Sequence, residues 1–150
     1  MPSVRPEIRR LPLVMLFWLL VQFLLGMAVN LFVEITRNHP GANPPEYFGG
    51  VVQSVTWAVL HGPFLLELHG VLGLLLVLGA IALLVQAIRS GPRSFAIASG
   101  VGAFSILAAG FNGGSFLNYD QDFSSMIMAA FFAIAIASYA AALYGAPASA

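Results

Sequence analysis

Apolar side chains dominate four long stretches of this chain, and polar ones mark where each begins and ends. The first covers residues 11–35, where Gln22 and Asn30 are the only strongly polar interruptions before Glu34. The second, 63–88, opens on Pro63, whose missing N–H suits a first helical turn, and stops at Arg89-Ser90-Gly91-Pro92. The third covers 95–117 and the fourth 124–144, separated by the polar turn Asn118-Tyr119-Asp120-Gln121-Asp122. A bilayer core about 30 Å thick takes roughly 20 apolar residues at 1.5 Å rise each, so every stretch is long enough to cross. Continuous Leu, Ala and Val runs are the opposite of the short alternating segments of a β-barrel. The connections near 89–94 and 118–123 are short and force antiparallel neighbours. The pattern predicts an all-α integral membrane protein: one domain over 1–150, a four-transmembrane-helix up-down bundle. A basic start before an apolar run also describes a signal peptide. About 25 apolar residues exceed the 7–15 of such a hydrophobic region, so the first stretch is read as a retained span.

The loop 36–62 is too long for a plain connector. It opens with Asn38-His39-Pro40-Gly41-Ala42-Asn43-Pro44-Pro45, which excludes regular helix. Beyond it, Phe48, Val51, Val52, Val55 and Val59 fall at the spacing of an amphipathic stripe, with Gln53, Ser54 and Thr56 off it. The spacing predicts a short amphipathic helix on the outer surface, capping the bundle. Small residues recur every fourth position in the last stretch, at Ala129, Ala133, Ala137, Ala141 and Gly145. Such a ridge lets a neighbouring backbone approach closely. Ser99, Ala103 and Gly110-xxx-Gly114 offer a matching surface, so the ridge is expected to pack inside the bundle, with a homodimer seam as the alternative.

Composition sharpens the class. The chain of 150 residues is 59% hydrophobic and only 8% charged, against about 25% charged in soluble domains. That excludes an ordinary cytosolic enzyme and leaves the lipid bilayer as the solvent. The net charge is zero, with six basic residues that are all arginine. Six scattered arginines make no basic stripe, so no nucleic-acid partner is expected. Absent cysteine removes thiol redox relays and Cys-ligated metal centres. Arg5, Arg9, Arg10, Arg89 and Arg93 fall on one side of the predicted spans and Arg37 on the other. The positive-inside rule puts both termini in the cytoplasm. Arginine without lysine, with abundant alanine and glycine, points to a bacterial inner membrane.

Polar residues inside a span are costly and mark candidate sites. With this orientation all four spans bring such groups to the outer half: Asn30 and Glu34 on the first, Glu67 and His69 on the second, Asn112 and Ser115 on the third, Met126 on the fourth. His69, followed by Gly70 and Gly73, is the candidate axial ligand for a haem b or another metal, a cofactor that four-helix membrane bundles hold between helices. No second histidine lies within a span. The candidate partners are His61 at the boundary and Met126 or Met128 on the last span. The bland alternative is a His69 hydrogen-bonded to Asn112 or Glu34. Asp120 and Asp122 with Glu46, His39 and His61 form a weaker candidate for a divalent cation. Three functions stay open at this level. One is a haem-binding protein for electron transfer or sensing. Another is a non-catalytic accessory subunit of a larger membrane complex, joined to a membrane-protein partner or to a second copy. The third is a small proton-coupled transporter using Glu67. None of these makes the chain an enzyme by itself.

Overall fold

The computed structural model describes residues 6–145; Arg5, one of the arginines counted above, lies outside them. Five helices follow in order: α1 (Pro6–Phe32), α2 (Tyr47–Leu60), α3 (Phe64–Ser90), α4 (Arg93–Tyr119) and α5 (Asp122–Gly145). Four of them, all but α2, are long and apolar enough to cross a membrane. They close a ring in which α3 neighbours α1 and α4, and α5 neighbours α4 and α1; α1 and α4 face each other diagonally, as do α3 and α5. The four-helix bundle is therefore the architecture of the chain.

Local chemistry sets the helix ends. Glu46 caps α2 by accepting from the N–H groups of Phe48 and Gly49 (2.8 and 2.6 Å), which satisfies donors that have no partner inside the helix. Proline precedes the first residue of α3 and of α4, at Pro63 and Pro92. Asp120 takes a left-handed conformation (φ 54°) and closes α4 by donating its N–H to Phe116 O at 2.8 Å. One end departs from expectation. The first span was expected to reach residue 35, whereas α1 ends at Phe32. Val33, Ile35 and Thr36 are β-branched and form helix reluctantly. Beyond the helix, Val33 and Ile35 pack instead on a small core of Val29, Ala58, Leu66 and Leu117 at the α2 end of the bundle.

The main core fills the rest of the ring with Met15 and Leu19 of α1, Leu76, Ala80 and Leu83 of α3, Phe95 and Ala103 of α4, and Ala135 and Tyr139 of α5. Glycines set the closest approaches. A Cβ at Gly102 would lie 2.7 Å from Tyr139 Cζ, and one at Gly113 would lie 3.2 Å from Met128 Sδ, which fixes α4 and α5 in antiparallel register. On the other side, Gly26 lies against His69, Gly73 against Gln22 and Gly79 against Met15, the antiparallel register of α1 and α3.

Two expectations about packing are corrected. The alanine ridge Ala129, Ala133, Ala137 and Ala141 is exposed, and α5 turns Ala135, Tyr139 and Ala142 inward. Tyr139 decides this rotation, because its ring needs the flat surface of Gly102. Of the expected matching surface, Gly110 is exposed with nothing within 4 Å, and Gly114 meets Val51 of α2. Helix α2, expected to cap the bundle, caps only one half of it: of the helices it lies against α3 and α4. It buries Gly50, Val51, Ser54 and Ala58, while Phe48 and Val52 of the expected stripe are each 65% exposed.

Candidate functional site

Two polar clusters occupy the α2 end of the bundle. The first is the seam between α1 and α3. His69 sits on the second turn of α3 with its ring edge over Gly26, where a Cβ would come within 2.9 Å of Cε1. Gln22, one turn further along α1, donates from Nε2 to the His69 carbonyl oxygen at 3.1 Å, and the same nitrogen lies 3.4 Å from His69 Nε2. Because the carbonyl can only accept, the amide nitrogen must face it. The ring nitrogen next to that amide is then the acceptor, and the imidazole proton belongs on Nδ1. In that tautomer Nε2 turns its lone pair toward the Gln22 amide at 3.4 Å, and Nδ1 is buried without a partner.

The other expected ligands lie elsewhere. His61 is exposed at the end of α2. Met126 is 60% exposed on α5, the helix diagonal to α3, and Met128 is the methionine turned toward α4. The residues of the expected polar network separate in the same way. Asn30 and Glu34 are exposed, and Glu67 is half-buried on the first turn of α3. Asn112 donates to Ala108 O of its own helix at 2.8 Å, and Ser115 lies 3.5 Å from Ser124 Oγ. Neither Asn112 nor Glu34 is the hydrogen-bond partner of His69. That partner is Gln22 of α1, a residue outside the expected polar network.

The second cluster, centred on Asn118, has no counterpart in the expected site. Asn118 is fully buried where α4 meets α2 and the loop 38–45. The amide orientation that suits its neighbours turns Nδ2 toward the carbonyls of Gly41 and Gly50 (both 3.1 Å) and Gly114 (3.2 Å), and Oδ1 toward Val51 N at 3.2 Å. Ser54 Oγ lies 2.6 Å from the amide nitrogen. The Asn118 backbone carbonyl accepts from Asn43 N at 2.8 Å. Glycines make this convergence possible. Gly41, at φ 87°, has its Cβ position filled by Ser54 Oγ, and Gly50 has its own filled by Pro44. Beside the cluster, His39 stacks on Trp57 (centroids 4.3 Å apart) and donates from Nδ1 to Pro40 O at 2.9 Å.

The acids at the α2 end are engaged separately. Asp120 pairs with Arg37 at 3.5 Å and Glu46 caps α2. Among the described residues, no three histidine or acidic side chains converge as a metal ion requires. Comparison with protein families, with characterised proteins and with solved structures finds no match to the chain.

Proposed function

We propose that this protein is a non-catalytic subunit of a larger membrane assembly, with a transmembrane helix of a neighbouring subunit packed along α5. The observation that carries the reading is the outward ridge Ala129, Ala133, Ala137 and Ala141. Membrane helices associate through close backbone approach at small residues spaced by four, because lipid supplies no hydrophobic drive between them. The interior is consistent with this reading: Gln22 ties α1 to the His69 carbonyl of α3, and Asn118 with Ser54 ties α4 to α2. We place the protein in a bacterial inner membrane with both termini in the cytoplasm. Arg10, Arg89 and Arg93 lie at the end opposite α2, and Arg37 lies at the α2 end, as the positive-inside rule requires.

The test is the mass of the particle extracted with its native lipid. The wild-type chain is expected to run as a complex heavier than its monomer. Ala133→Leu with Ala137→Leu should release it at monomer mass with an unchanged melting temperature. A complex that survives both substitutions sinks the reading. So does a Soret band in the purified protein that disappears in His69→Ala, which would establish haem ligation at the α1–α3 seam instead.

A further inference from the structure

Helix α2 has three different sides. At 100° per residue, Gly50, Val51, Ser54 and Ala58 form the side buried on the bundle. Phe48, Val52, Val55 and Val59 fall within an arc of about 60° next to it, and Phe48 and Val52 are largely exposed. Gln53 and Thr56 follow on the side after that, also exposed, with Leu60 the apolar residue of that side at the helix end. The contacts of α2 give its depth. Phe48 meets the ring of Phe111 edge-on at 6.3 Å. Val51 lies against Gly114 of α4, and Val59 against Gly70 of α3.

Phe111 and Gly114 stand about 12 and 8 Å from the end of α4 at Tyr119, and Gly70 about 9 Å from the start of α3, at 1.5 Å per residue. Both ends of α2 are therefore at one level, and the helix runs across the bundle axis. Helices of 27 residues are about 40 Å long against a hydrocarbon core of about 30 Å, which leaves an overhang of about 5 Å at each end. The level of α2 is then a few ångströms inside the hydrocarbon edge. Phe48 and Phe111, the deepest pair, are continuous with the exposed Phe104 lower on α4.

We infer that α2 is an interfacial helix lying in the leaflet at its end of the bundle. Its Phe48–Val52 edge rests on the acyl chains, and Gln53 and Thr56 face the headgroups and water. This is the disposition of a helix lying in the membrane plane with its apolar side buried about 5–10 Å. The occupant of the exposed apolar edge is lipid, because that edge continues the lipid-facing surface of α4 without a break.

The native chain has no cysteine, so single spin labels can be placed in reconstituted full-length protein. Phe48→Cys, Val52→Cys, Gln53→Cys and Thr56→Cys all replace exposed side chains. Labels at 48 and 52 are expected to collide with oxygen far more often than with a water-soluble nickel chelate. Labels at 53 and 56 should show the reverse preference. Chelate-dominated collisions at 48 and 52 would place α2 above the membrane and overturn the inference. Low collision rates with both reagents at 48 and 52 would also overturn it, by showing that protein covers the edge.

Discussion

Single residues in this protein divide by whether a neighbour occupies their space, and the two clearest cases are an asparagine and a pair of glycines. Asn118 is fully buried and reaches three backbone carbonyls, Ser54 and Val51 N. Asn118→Ala removes the side chain that links α4 to Ser54 of α2 and to the Gly41 carbonyl of the loop, and should cost about 1–3 kcal/mol, read as a lower melting temperature in detergent. Asn112→Ala, which removes only a bond to its own helix, should change the melt far less. Equal losses would mean that Asn118 is not the fastening point of the cap. Gly102→Ala sets a methyl group 2.7 Å from Tyr139 Cζ, and overpacking of this kind costs about 1–3 kcal/mol. Gly110→Ala meets nothing within 4 Å, and alanine is the better helix former by about 1 kcal/mol. The two substitutions should therefore shift the melting temperature in opposite directions. Sequence marked His69, but its partner and Asn118 were hidden for the same reason. Each depends on which residues of distant segments share a level, and hydropathy along one segment carries no such information.

At the scale of elements, the four spans were legible because hydrocarbon imposes length and apolarity on each of them separately. Helix α2 was also legible, and its orientation was not. In water an apolar stripe marks the side that faces the core. In α2 the stripe Phe48, Val52, Val55 and Val59 borders the core side, and the truly buried side contains Gly50 and Ser54. The bilayer accepts apolar side chains outward, so hydrophobicity stops separating inside from outside, and small size and hydrogen bonding take over. The same reversal explains α5. Its alanines are small enough for an interface, yet the interior needs the bulk of Tyr139 against Gly102. Leucine at Ala133 should consequently leave the fold intact while weakening association; a fall in melting temperature of the isolated monomer would return the ridge to the interior.

For the molecule as a whole, an even number of spans brings the two ends of the described chain to one side, with α2 and Asn43 on the other. Ser90→Cys should resist an impermeant thiol reagent in intact cells, and Asn43→Cys should react. The opposite pattern would invert the orientation and place the cap in the cytoplasm. Polar contacts among the described residues join α1 to α3 and α2 to α4, and α5 carries an evenly spaced run of small residues on an exposed face. What touches that face decides the role of the protein. A photo-crosslinking residue placed at Ala137 in native membranes should give a protein adduct of defined mass, of twice the monomer if the neighbour is a second copy. The same residue at Leu78, an exposed position on the diagonal helix α3, should give none. Adducts with lipid alone at both positions would contradict the account.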